Sequence, residues 1–117
     1  MIAILGLGYV GLPLALAFSR SRALMQVVGF DIDPARVTAL NQGRDANDES
    51  DPSELKAALA AGLLLSCDAQ VLAAATIYIV TVPTPVNSDK RPDLAPLEAA
   101  CRLIAKFLKR GDLVVGR

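Results

Sequence analysis

The 117-residue sequence contains no histidine and no tryptophan. Without histidine the chain can build neither a Ser-His nor a Cys-His relay, and no His-ligated metal site. Its two cysteines, Cys67 and Cys101, are too few and too far apart for a zinc site or a disulfide framework. An excess of one charge is missing as well. Twelve basic and 12 acidic residues give a formal net charge of zero, whereas a nucleic-acid binder needs a basic excess to displace phosphate counterions. Aromatic residues reach only 4%, so the core must be aliphatic. The 53% hydrophobic and 21% charged content excludes intrinsic disorder, and a domain of this size can bury a core without staples.

The opening stretch, residues 1–18, carries no charge, a length compatible with a membrane span or a signal sequence. No Lys or Arg precedes it, Gly6, Gly8, Gly11 and Pro13 interrupt it, and Arg20 and Arg22 come only afterwards. A buried strand, a glycine turn and a buried helix explain it better than a membrane role. Cys101 falls in the run Leu94, Leu97, Cys101, Ile104, Leu108, spaced as one helix face. It is expected to be a small buried hydrophobe, and Cys67, after the apolar run 63–65, is read the same way. Unpaired thiols suit a reducing, cytoplasmic compartment.

The remaining pattern alternates strand and helix. Strands are predicted over 1–5, 26–30, 63–66 and 76–82, the last closed by Pro83 and Pro85, which cannot donate to a ladder. A helix is predicted over about 10–22, and another opens at Pro34 behind an Asp33 cap, turns Val37 and Leu40 inward and stops near Gly43. The acidic stretch 44–54 reads as a solvated loop. Residues 55–61 read as a short helix and 68–74 as a helical turn. The longest helix runs from 93 or 94 to 109 with Gly111 as its stop, and a further strand begins at 113. This order predicts one α/β domain over 1–117, a Rossmann-like doubly wound parallel sheet of about five strands in the order 3-2-1-4-5. The final strand would be an uncovered edge, so the chain is expected to be truncated there.

Gly6-Leu7-Gly8-Tyr9-Val10-Gly11 matches G-x-G-x-x-G in its full context, after a buried strand and opening a helix. Gly6 allows the tight turn, Gly8 lets a pyrophosphate approach the backbone, and Gly11 lets helix and strand pack closely. The helix N-terminus supplies N–H groups to the diphosphate. Asp31 ends the second strand about twenty residues beyond Gly11, where a carboxylate accepts hydrogen bonds from the adenosine ribose and repels a 2′-phosphate. The cofactor is therefore expected to be NAD rather than NADP. Arg36, one helical turn further on, is equally readable as a ribose or phosphate contact and as an ordinary surface arginine. Thr84, between the prolines of the TVPTP segment 81–85, sits on the rim where ligands bind open parallel sheets and can face the cofactor.

These segments together, GLGYVGLPLA, FDID, IYIVTVPTPV and the helix after PDL, resemble the UDP-glucose/GDP-mannose dehydrogenase family over essentially the whole chain. The wording of 77–100 is most similar to the branch that acts on UDP-N-acetylhexosamines in surface-polysaccharide (capsule) synthesis. The resemblance implies that Tyr9 and Val10 contact the dinucleotide, that Asp31 holds the ribose with Arg36 beside it, and that Thr84 touches the cofactor. It implies a nucleotide-sugar substrate oxidised in two steps from the 6-hydroxyl to a carboxylate, consuming two NAD. It also implies a thiolate nucleophile in a C-terminal half and a homodimeric parent enzyme. Neither Cys67 nor Cys101 matches that nucleophile, so this chain is expected to be an inactive cofactor half.

Two departures stand out. The family follows the fifth strand with a Ser-Thr motif, where this chain reads Gly116-Arg117, and the 44–54 loop lacks the Tyr-Glu-Pro-Gly pattern of the UDP-glucose enzymes. Two other readings share the glycine turn and Asp31: a stand-alone NAD-sensing module, and the N-terminal domain of a 3-hydroxyacid-type dehydrogenase. The TVPTP wall favours the nucleotide-sugar enzyme over a sensor, which has no use for a wall at the hydride-transfer end.

Overall fold

The computed structural model describes residues 1–21, 26–45, 52–83, 85–86 and 88–116. Apolar runs bounded by glycine, proline and aspartate become five strands: β1 (Ile2–Leu5), β2 (Val27–Phe30), β3 (Leu64–Ser66), β4 (Ile77–Val80) and β5 (Leu113–Gly116). They form one parallel sheet in the order β3-β2-β1-β4-β5. Ile2 of β1 stands opposite Val27 of β2 on one side and Ile77 of β4 on the other. The chain therefore leaves β1 in one direction and returns to its other side at β4. That reversal opens a crevice at the carboxyl ends of the two strands.

Helices cover the sheet because its central strands are apolar on both faces. Ile2 and Ile4 pack with Leu12 and Leu16 of α1 (Gly11–Arg20), Val37 and Leu40 of α2 (Pro34–Asn41), and Leu55 and Ala58 of α3 (Pro52–Ala60). Ala3, Leu5, Tyr78 and Val80 face the opposite layer, formed by the 3-10 helix Ala69–Ala74 and by α4 (Ala95–Ala105). Asp33 caps α2 by accepting the Ala35 N–H at 3.0 Å, with Pro34 in the first turn as expected. No helix among the described residues is long and apolar enough to cross a membrane.

Three expectations change. Helix α4 ends at Ala105 rather than near residue 109: the backbone tightens there, Lys106 N–H donating to Leu103 O and Phe107 N–H to Ile104 O, and the Lys109 N–H donates to Asp112 Oδ2 at 2.8 Å in place of a helical carbonyl. Both cysteines are exposed, not buried. On α4 the sheet takes Ala100 and Ile104, with Leu97, Leu103 and Phe107 beside them. That stripe is displaced around the axis from the expected one, and a small alanine at its centre lets the helix approach, while Cys101, Leu94 and Leu108 turn outward. Cys67 lies just past β3, in the turn where Asp68 N–H donates to Ser66 Oγ, and Asp68 then caps the 3-10 helix. Finally, the acidic stretch is not solvated throughout. Its last residues open α3 from Pro52, and the Asp45 side chain is only 2% exposed.

Candidate dinucleotide site

The chain must reverse tightly after β1 to enter α1, and Gly6 does so at φ +97°, a conformation that side chains other than glycine resist. A Cβ there would also approach the Thr81 carbonyl oxygen to 2.9 Å. Gly11 opens α1 against the turn, and a Cβ on it would overlap the Gly6 carbonyl and the Thr81 hydroxyl. These two glycines are thus required by the protein's own packing. Gly8 differs: a Cβ on it meets no protein atom within 4 Å, and its φ is not positive. Nothing inside the chain asks for a glycine there, so the open backbone suits an external group that must come close.

Two charged side chains grip the same loop residue. Asp31 lies at the end of β2, where Oδ2 accepts the Leu7 N–H at 2.9 Å and Oδ1 accepts the Asp33 N–H at 3.0 Å. Arg36 reaches back from α2, and its Nε and Nη2 donate to the Leu7 carbonyl at 3.1 and 2.8 Å. Its Nη1 pairs with the Asp45 carboxylate at 2.7 Å. The turn is held from the other side by buried Thr81, whose hydroxyl lies 3.0 Å from Leu5 O and 2.8 Å from Gly6 O. No side chain caps the N-terminus of α1. Leu12 N–H donates to Gly8 O at 3.1 Å and Pro13 has no N–H, so within the first turn it is the Gly11 N–H that can turn to a ligand or water.

Above this floor, at the β1–β4 crevice, lies a cavity of about 360 Å³. Asp31 and Arg36 give it one polar end, and Val82, Pro83, Pro96 and Leu103 line an apolar flank. Such a cavity fits a long ligand that carries both hydroxyls and flat apolar rings. Of the candidate residues, Gly6, Gly8, Asp31 and Arg36 line it. Gly11 sits beneath it, packed on Gly6 and Thr81. Tyr9 is 74% exposed and Val10 precedes α1, and neither is among the lining residues. Thr84 lies outside the described residues, although its neighbours Val82 and Pro83 do line the cavity. The described residues contain no cluster of His, Cys, Asp and Glu able to hold a metal.

Three contributors escaped sequence reasoning. Thr81 had a signal, a hydroxyl at a strand end facing the glycine turn. Ile32 is 74% exposed yet lines the cavity, and an isoleucine stranded between two aspartates was a readable oddity. Asp45 had none, being one acid among several in a polar stretch.

Comparison with known proteins bears on the same surface. The model of the UDP-glucose/GDP-mannose dehydrogenase family, NAD binding domain, matches residues 1–117. Over 114 residues the chain is 47% identical to the UDP-N-acetyl-D-glucosamine 6-dehydrogenase of Pseudomonas aeruginosa, covering 97% of this chain and 26% of that protein. It is 40% identical over 115 residues to the UDP-N-acetyl-D-mannosamine dehydrogenase of Escherichia coli K12, with the same two shares. The structure of the UDP-D-ManNAc dehydrogenase of Pyrococcus horikoshii superposes with a TM-score of 0.87 at 36% identity, over 98% of this chain and 27% of that one. The chain thus spans about a quarter of the length of the relatives it matches.

Proposed function

The chain belongs to the UDP-glucose/GDP-mannose dehydrogenase family, as its NAD-binding domain, and we propose that it serves the oxidation of a UDP-N-acetylhexosamine at its 6-hydroxyl. The observation that carries the site is the pairing of an unobstructed Gly8 with the Asp31 carboxylate at one end of a single cavity. Gly6, Gly8 and Gly11 shape the turn that receives the pyrophosphate. The Gly11 N–H that opens α1, with Tyr9 and Val10 ahead of it, faces the same group. Asp31 accepts from the ribose hydroxyls, and its negative charge disfavours a 2′-phosphate. Arg36 acts beside it, and Thr84 is assigned to the cofactor from its sequence context in the TVPTP segment.

NAD, when bound, supplies the acceptor for a hydride from the sugar. The residues of this chain bind and orient it, and the apolar flank from Val82 to Leu103 keeps water from one side of the cavity. Cys67 and Cys101 are exposed and neither lines the cavity. The thiolate chemistry and most of the nucleotide-sugar contacts therefore belong to residues outside 1–117. The identities of the relatives support an N-acetylated sugar over glucose, and with it a place in surface-polysaccharide synthesis. A cytoplasmic location and a homodimeric parent enzyme complete the proposal.

Calorimetric titration of the chain with NAD and NADP tests the site. NAD is expected to bind at least tenfold more tightly, and Asp31→Asn to weaken NAD and narrow the gap. Tighter binding of NADP to the unaltered chain would remove Asp31 from its assigned role. Turnover of a UDP-sugar by the purified 117-residue chain would contradict the division of labour.

A further inference from the structure

A cation close to the ribose-binding carboxylate is the usual means by which this type of site accepts a 2′-phosphate. Arg36 has that position. Asp31 holds the Leu7 N–H and Arg36 the Leu7 carbonyl, so the two side chains meet at the ends of one residue. Among the described residues, Arg36 is also the only Lys or Arg that lines the cavity. A site that must refuse NADP would be expected to avoid such a group. Here the cation is retained, and its charge is cancelled by Asp45 at 2.7 Å. The two side chains are only 11% and 2% exposed, so solvent and salt screen the pair weakly. Among the described residues the Arg36 hydrogen bonds are internal: Nε and Nη2 on Leu7 O, and Nη1 on Asp45.

We propose that Asp45 is a specificity-determining residue for the dinucleotide: by pairing with Arg36 it withdraws the cation that would otherwise receive a 2′-phosphate. NADP is then refused twice, by repulsion from Asp31 and by the absence of a compensating positive charge. Asp45 acts through Arg36 and touches no part of the cofactor, so it is a positioning residue. The same guanidinium holds the Leu7 carbonyl, which ties the polar stretch after α2 to the shape of the glycine turn. The inference rests on the cavity being the NAD site, as proposed above.

The test is the ratio of NADP to NAD dissociation constants, measured by calorimetry on the 117-residue chain in a set of variants. Asp31→Asn alone removes the repulsion. Adding Asp45→Asn keeps an oxygen acceptor for Arg36 Nη1 while removing the charge, and is expected to shift the ratio at least fivefold further toward NADP. Asp45→Glu in the same background keeps the charge and should leave the ratio at the Asp31→Asn value. Arg36→Met added to the double variant should cancel the gain, assigning it to the guanidinium. Thermal unfolding checks that each variant is folded, and Asp45→Ser replaces Asp45→Asn if the latter is not. A ratio that is the same in Asp31→Asn and in the folded double variant overturns the role of Asp45 alone. A ratio unmoved by Asp31→Asn overturns the cavity reading, and this inference with it.

Discussion

Three glycines in one turn have unequal reasons to be there, and the difference can be measured. At Gly11 an added methyl would run into the Gly6 carbonyl, which is backbone and cannot swing aside. Gly11→Ala is therefore expected to cost about 1–3 kcal/mol, the usual penalty of overpacking, read as a drop in the thermal midpoint. At Gly8 the same methyl meets no protein atom within 4 Å, so Gly8→Ala should leave the midpoint within a degree or two. Its effect should fall on NAD, whose pyrophosphate would meet the new methyl, with affinity lowered tenfold or more. A large loss of stability in Gly8→Ala, or unchanged NAD binding, would contradict this assignment. The G-x-G-x-x-G spacing makes all three positions visible in sequence. Their separate duties were not visible, because the partner that makes Gly11 indispensable includes Thr81, seventy positions away in the chain.

Among the elements, β4 and the 3-10 helix are tied by Tyr78, which is fully buried and donates its hydroxyl to the Leu72 carbonyl at 3.1 Å. Burial pushes the phenol above its ordinary value of 10.0, Lys109 opposes the shift, and Asp112 adds to it. A folded state that holds this proton more tightly than the unfolded chain has its full stabilisation below the ordinary value. That contribution is lost as pH rises through the higher folded value. The thermal midpoint is expected to fall on the alkaline side of pH 10, and Tyr78→Phe should flatten that part of the profile. At neutral pH the same variant should cost about 1 kcal/mol, the net worth of one hydrogen bond, because the Leu72 carbonyl keeps the Ala75 N–H at 3.1 Å. An alkaline fall of equal size in Tyr78→Phe would assign it to other groups. Strand β4 was legible from its Ile, Val and Tyr content. The α4 boundary was not, because the Lys109 N–H goes to the Asp112 carboxylate and its ammonium to the Ala73 and Ala75 carbonyls, partners that only the folded chain supplies.

For the molecule as a whole, the least balanced feature is the edge of the sheet. The four residues of β5 are exposed, Leu113, Val114 and Val115 at 55%, 43% and 41%. Among the described residues, both faces of this strand are partly exposed, and β4 pairs with one of its hydrogen-bonding sides. A flat apolar edge is a template for another strand. The chain is expected to self-associate with rising concentration, and Val114→Lys to suppress this while leaving NAD binding in place. Sedimentation velocity reads the outcome, and equal association by both forms would place the contact elsewhere.

Periodicity, strand propensity and the position of glycine, proline and aspartate were enough for the parallel sheet, its strand order, the glycine turn after β1 and the place of Asp31 beside it. Each of those depends on interactions between near neighbours, or on a topology that few arrangements satisfy. Side-chain destinations were decided by the assembled layers. Cys101 lies on a helix whose buried stripe could turn by one residue, and the sheet took Ala100 instead because a smaller side chain allows closer approach. Arg36 could have been a surface charge or a ligand contact. In the fold it lines the cavity and also clamps Leu7, because folding brought Asp45 and the turn to its two ends. Contacts of this kind join residues distant in sequence, and their energies depend on burial that exists only once the chain has packed.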